Sequence, residues 1–334
     1  MQERRGLARK RITLKDVAKS AGVSLASASY AINKTGSLSE DTRAHVLKVA
    51  EELGYRQNLA ARAARTGRTG AIGFVVPDMT NPFFPSLAQS IVQRARQNGY
   101  SVFVTDTEGD QAQEEEVIRQ LVDRGVDGIV WFPIKDENSI ESIAGDLPII
   151  VIDRTVNGFE CIQADYAQGG QLAANYLLAS GHDRIGVIAG PMDVRSMRER
   201  CGAAIEAINR ASALAYSVEN AFSTELSGDV ASAIESRAAT AVFCGSDLIA
   251  VGVMGHARKL GIAIPDELAV VGFDDIPWAE YCTPALTTIE LPVDEMASEA
   301  VDALLRKLDG ENESNRRVVF GVCLIERESA PPRK

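Results

Sequence analysis

The sequence predicts a small all-α module followed by a two-lobed α/β core whose parallel sheets are flanked by helices. Three observations carry this. Short capped helices can be read between residues 12 and 57. From Gly70 onward, short apolar runs alternate with amphipathic stretches, and the alternation restarts after about Asp165. The charge changes sign at the same boundary: residues 1–70 carry 14 basic and 6 acidic side chains, a net of +8, while the rest carries 21 basic and 40 acidic ones, a net of −19. The whole-chain value of −11 describes neither part. A split of this size marks a polyanion-binding module fused to an acidic body.

Residues 1–11 are basic and aperiodic and read as a disordered tail. Thr13 and Asp16 form a capping box ahead of a helix whose apolar stripe is Leu14, Val17, Ala18 and Ala21, and Gly22 ends it. Ser24 caps a second helix running to about Asn33. Ser39 caps a third, with Glu40 and Asp41 in the turn where the helix dipole favours anions, and Val46, Val49, Ala50 and Leu53 on its buried side. In the core, AIGFVV (71–76), SVFVT (101–105), GIVWF (128–132) and PIIVI (148–152) read as strands, with helices over 85–98 and 112–124 between them. The second round gives helix 166–180, strands at 184–190 and 240–245, helix 247–260 and the run LAVVGFDD at 268–275. Parallel βαβ units follow from that order. A cleft between two such halves is a favoured place for a small ligand.

Several classes are excluded. With 46% hydrophobic and 24% charged residues the chain is an ordinary globular protein. No apolar run reaches the ~18 residues of a membrane span, and no apolar segment follows the basic N-terminus, so the chain is read as cytoplasmic with no membrane partner. Cys161, Cys201, Cys244, Cys282 and Cys323 are far apart and never in a CxxC, and read as buried free thiols rather than a disulfide framework or metal site. No cofactor or metal is expected. Catalysis finds no support: neither GxGxxG nor GxxxxGK[ST] follows a strand, and His45, His182 and His256 are scattered, His182 reading as structural. A solute-binding receptor would fit residues 70–334, but not the basic module in front of them.

Two helices joined by a turn of about three residues around Gly22 match a helix-turn-helix, whose second helix lies in the major groove of double-stranded DNA. Leu25, Ala26, Ser29 and Tyr30 share one face of that helix, with Ala28 and Ile32 on the other. Leu25 and Ala26 offer apolar contacts, for example to a thymine methyl, while Ser29 and Tyr30 can hydrogen-bond to a base edge or phosphate. Thr13, Ser24, Ser27 and Asn33 complete the DNA-binding set, with Arg62 and Arg65 behind it as phosphate contacts.

The run ITLKDVAKSAGVSLASASYAINKTGSLSEDTRAHVLKVAEELGYRQN resembles the N-terminal DNA-binding domain of the lactose-repressor (LacI/GalR) family of bacterial transcription regulators. The likeness continues through GRTGAIGFVVPDMTNPFF, GVDGIVWF, VIDR, GHDRIGVIAGP, AVFCGSDLIAVG, VVGFDDIPWAEYCTPALTTI and the terminal ERESAPP. The resemblance implies a headpiece at 12–57, a hinge at 58–69 and a periplasmic-binding-protein-like core at 70–334. The core lobes would be about 70–163 with 291–321, and about 164–290 with 322–334. It further implies a repressor that forms homodimers or tetramers, reads a near-palindromic operator, and responds to a sugar or related metabolite bound between the lobes.

There are departures from the pattern. Ser27-Ala28-Ser29 replaces a common Thr-Val-Ser, which keeps hydroxyls but thins the packing. In the hinge, Ala64 stands where relatives place a leucine that wedges into the minor groove, and an alanine methyl is a poor wedge. The hinge thus reads either as a helix lying against phosphates or as a flexible Arg- and Gly-containing linker.

For the effector, the resemblance points to Asn81, Phe83 and Phe84 at the cleft mouth, one ring facing ligand and the other core. Asp153 and Arg154 end a buried strand, at the crevice rim where open α/β sheets bind ligands. Arg200 matches a pocket arginine, while Arg198 reads as a solvated helix charge. Asp274 would accept ligand hydroxyls, and Asp275 would cap the following turn. Ser246, where relatives often carry Asn, and Ser223, where many carry a stacking aromatic, mark an altered pocket.

Overall fold

The computed structural model describes residues 12–33, 35–56, 63, 67–137, 140–311 and 316–332. The tail at 1–11 and the hinge residues Arg62, Ala64 and Arg65 lie outside them. The chain divides into two compact units, residues 1–69 and 70–334.

In the first unit α1 spans Leu14–Ser20, α2 Leu25–Asn33 and α3 Glu40–Glu52. The Thr13–Asp16 box is made in both directions, with Thr13 N–H donating to the Asp16 carboxylate at 2.8 Å and the Asp16 N–H donating back to Thr13 Oγ1 at 3.4 Å. Gly22 follows α1 with φ of +66°, a conformation that side-chain-bearing residues rarely adopt. Val17, Ala18, Ala21, Ala28, Ala31, Val46, Val49 and Ala50 form the core. Four of those eight positions are alanines contributed by α1, its C-cap and α2, so these helices pack closely.

The second unit contains two parallel sheets. The first holds β1 (Ala71–Val76), β2 (Ser101–Asp106), β3 (Gly128–Trp131), β4 (Ile149–Ile152), β5 (Glu160–Ala164) and β11 (Arg317–Phe320), in the order β11-β5-β4-β3-β1-β2. Helices α4 (Phe83–Gln97) and α5 (Gln111–Asp123) connect its early strands. The second sheet, in the order β7-β6-β8-β9, holds β6 (Ile185–Ala189), β7 (Leu214–Glu219), β8 (Ala241–Cys244) and β9 (Ala269–Val271). It is served by α6 (Tyr166–Ala179), α7 (Arg195–Arg210), α8 (Gly228–Glu235) and α9 (Asp247–Lys259).

The chain passes between the lobes three times: from β5 into α6, from β10 (Thr288–Glu290) into α10 (Val293–Leu308), and from β11 into β12 (Cys323–Ile325). β10 and β12 pair antiparallel and form their own small sheet at that crossing, and α10 packs on α4, β3, β4 and β5. Parallel strands place all their carboxyl ends on one edge, so the loops of both lobes converge where the lobes face each other.

Two expectations need correction. All five cysteines are free, but Cys323 is exposed and Cys282 only half-buried. Asp275 does not cap the turn after it. It accepts from Arg327 at 2.7 Å, and the turn's Ile276 N–H donates instead to the buried Asp247 carboxylate at 2.9 Å.

Candidate functional sites

In the headpiece, Leu25, Ala26 and Tyr30 are exposed on α2, Ser27 and Ser29 are half-buried, and Ala28 and Ala31 face the core. Leu25 is 45% and Tyr30 46% exposed, large values for apolar or aromatic side chains, so this face is free to meet another surface. Ser24 caps α2: its Oγ accepts from the Ser27 N–H at 3.0 Å and lies 2.9 Å from Ser27 Oγ. Asn33 turns back onto its own helix, donating to the Ser29 carbonyl at 2.7 Å and Ser29 Oγ at 3.1 Å. Arg43 of α3 donates to the Tyr30 and Gly36 carbonyls, tying the loop after α2 to α3.

In the core, a cleft of about 710 Å³ opens between the two lobes. Asn81, Phe83, Phe84, Asp153 and Arg154 line it from one side, and Arg200 and Asp274 from the other. Phe83 and Phe84 both face it, rather than dividing between ligand and core, and meet Phe132 edge-on at centroid distances of 6.3 and 4.9 Å. Arg154 Nε donates to the Pro133 carbonyl at 3.1 Å and its guanidinium stands 5.6 Å from the Phe132 centroid. Ser196, at the start of α7, bridges the lobes: its Oγ lies 3.3 Å from Asp153 Oδ2 and 3.4 Å from Arg154 Nη1. Tyr166 donates to the other Asp153 oxygen.

Arg200 is the centre of the second lobe's contribution. Its Nη1 donates to the Gly245 carbonyl at 2.9 Å and to Asp274 Oδ1 at 3.0 Å, and its guanidinium carbon stands 4.0 Å from the Phe273 centroid and 4.7 Å from that of Tyr166. Gly170 makes this placement possible, because a Cβ there would overlap the Arg200 carbonyl, so α6 and α7 can approach only at a glycine. Burial pushes the Asp274 carboxyl up to about 7, against the pull of Arg200. Asp153 and Asp274 both have positive φ, +73° and +111°, a strained backbone of the kind that collects at ligand sites.

Ser246 stands apart from the cleft. It is fully buried and its Oγ caps α9 by accepting from the Ile249 N–H at 3.4 Å. Ser223 is not in the cleft wall either, but the adjacent Phe222 supplies an aromatic ring there. Arg198 is more than a solvated charge: it donates to the Met192 and Asp193 carbonyls and lies 3.7 Å from Asp136 of the opposite lobe. Phe222, Phe132 and Ser196 were not singled out from sequence. Among the described residues no helix is long and apolar enough to cross a membrane, and no group of His, Cys, Asp or Glu is placed to hold a metal ion.

Family models match at both ends of the chain, one for bacterial regulatory proteins of the lacI family over residues 13–58 and one for a periplasmic binding protein-like domain over 174–330. The HTH-type transcriptional regulator DegA of Bacillus subtilis is 33% identical over 331 residues, covering 96% of this chain and 98% of DegA. The chain belongs to the lacI family of bacterial regulatory proteins. Other members are similar along their whole length: the ribose operon repressor of Escherichia coli K12 at 32% identity, covering 95% and 99% of the two chains, and the repressor PurR of Photobacterium profundum at 30%, covering 95% and 98%.

The fold is that of the lac repressor dimer bound to operator and the anti-inducer ONPF, with a TM-score of 0.83 at 24% identity over 96% of this chain and 99% of that one. A LacI-family regulator from Enterococcus faecium with bound ribose is similar at 25% identity and a TM-score of 0.71, over 79% of this chain and 100% of that one. The regulator CelR in complex with cellobiose is similar at 26% and 0.68, over 96% and 100%. As a lacI-family member the chain is a DNA-binding transcription regulator controlled by a small molecule, and not an enzyme.

Proposed function

We propose that the chain is a cytoplasmic, homodimeric repressor whose affinity for a near-palindromic operator is set by a sugar or related metabolite held between its core lobes. The observation that carries this is the cleft itself: Arg154 from one lobe and Arg200 from the other stand beside Asp153 and Asp274, among the rings of Phe83, Phe84, Phe132 and Phe222. Forked donors, carboxylate acceptors and aromatic faces together suit a ring carrying several hydroxyls. The ribose- and cellobiose-bound relatives support the same class. Two relatives named as repressors support the sign.

In this reading Leu25, Ala26, Ser29 and Tyr30 meet base edges, with Thr13, Ser24, Ser27 and Asn33 at their margins and Arg62 and Arg65 on phosphates. Phe103 and Val104 are exposed on β2, which is an edge strand, and an uncovered apolar edge invites pairing. A second copy of the chain covers it. Ligand controls DNA binding only through different affinities for two arrangements of the lobes.

In vitro selection of duplexes on the full-length protein tests the reading. The selected sites should be near-palindromic, and their affinity should fall steeply with salt. A selection returning no shared sequence, or salt-independent binding, would overturn it.

A further inference from the structure

We infer that the cleft selects a ligand carrying no negative charge, a free sugar rather than a sugar phosphate or sugar acid; this rests on reading the cleft as the effector site. Both guanidinium groups in the wall already have anionic partners within the protein. Arg200 is held by Asp274 at 3.0 Å, and Arg154 stands 3.6 Å from Asp153. Each guanidinium charge is therefore already balanced by a neighbouring carboxylate, which leaves no net positive charge in the wall to draw in an anion. The rim then adds Asp78, Asp106, Glu108 and Asp193, against which the described lining sets Lys135. An anion approaching that mouth meets like charges between low-dielectric walls, which focus the repulsion.

A second observation points the same way. The N-terminus of α7 opens beside the cleft and has no side-chain cap of its own at Val194, the kind of place where phosphates bind. The opposite lobe places the Asp136 carboxylate against it, beside the Arg195 backbone amide and with Oδ2 3.7 Å from Arg198. A carboxylate of the protein thus stands beside the helix end that a ligand phosphate would seek, and repels it.

Full-length protein should be titrated by calorimetry, and its melting followed, with D-ribose and ribose 5-phosphate, D-glucose and glucose 6-phosphate, D-galactose and galacturonate, and cellobiose. The expected result is that a free sugar binds and raises Tm while its anionic counterpart binds at least tenfold more weakly. That gap should narrow in the Glu108→Gln/Asp193→Asn double variant. An anionic counterpart that binds as tightly as the free sugar, or more tightly, overturns the inference and leaves the effector cleft standing. If no compound raises Tm, the reading of the cleft as a sugar site fails, and the inference with it.

Discussion

Arg200 Nη1 lies 3.0 Å from Asp274 Oδ1, and both side chains are buried beside the rings of Tyr166 and Phe273. The pair sits at the base of the cleft and shapes what a ligand hydroxyl meets there. Removing one partner of a buried hydrogen-bonded pair leaves the remaining polar groups unsatisfied, at a cost of about 1–3 kcal/mol. Arg200→Ala should therefore lower the urea-unfolding free energy of the core by that amount. A loss below about 1 kcal/mol would show that water reaches the site and that the pair is not structural.

Asp274 also predicts a pH dependence. Burial raises its carboxyl to about 7, above the roughly 3.9 of an unfolded Asp. An acid raised on folding contributes stability that is fully present below about pH 4 and is lost as pH climbs through about 7. Measured by urea unfolding, the wild type should lose stability relative to Asp274→Asn between pH 5 and pH 8. A flat difference across that range would assign the carboxyl an ordinary pKa.

In the headpiece, Tyr30 couples reading to packing, because its ring lies against the backbone of Gly36. Tyr30→Phe keeps the ring and removes the hydroxyl. It should cost about 1–3 kcal/mol of discrimination between selected and random DNA, while headpiece melting stays unchanged. Arg62→Ala should weaken both kinds of DNA alike and reduce the salt slope. The reverse assignment of effects would exchange the two roles.

The capping box gives a local test. Thr13→Ala removes the acceptor for the Asp16 N–H and the donor to its carboxylate, and should cost the headpiece about 1 kcal/mol by thermal unfolding. Equal melting of the two proteins would mean that the box is not formed in solution.

Ser196 joins Asp153 and Arg154 across the lobes, so Ser196→Ala should loosen the bridged arrangement by about 0.5–1.5 kcal/mol. The readout is the protection of the Arg195–Arg210 helix start in hydrogen exchange. Unchanged protection would show that the lobes are held together elsewhere.

What could be read in advance divides along the range of the interactions. The headpiece was legible because caps and a 3.6-residue stripe act within one turn of helix. Asn81, Arg154 and Asp274 were legible because each follows a strand, and parallel strands send their ends to one edge. β5 was not legible as an apolar run, since Glu160 and Gln163 are buried in it. Glu160 is tolerated there by Arg316 at 3.5 Å and Lys307 at 3.9 Å, and Gln163 by the Thr155 hydroxyl at 2.9 Å, partners set by the fold. Phe222 sits in a loop with no periodicity, and Ser196 gains its role only when the second lobe closes on the first. Ser246 obeys a purely local rule, an N-cap serine before Asp247, which outweighs its place in the family pattern.

The most direct test of the account is the binding isotherm of the full-length protein on its selected duplex, with and without the free sugar that raises Tm. The account predicts at least a tenfold change in Kd for the wild type, and for Asp274→Ala the same sugar-free affinity with no response to the sugar. Superimposable wild-type isotherms with and without a bound sugar would contradict the claim that the cleft controls the headpiece.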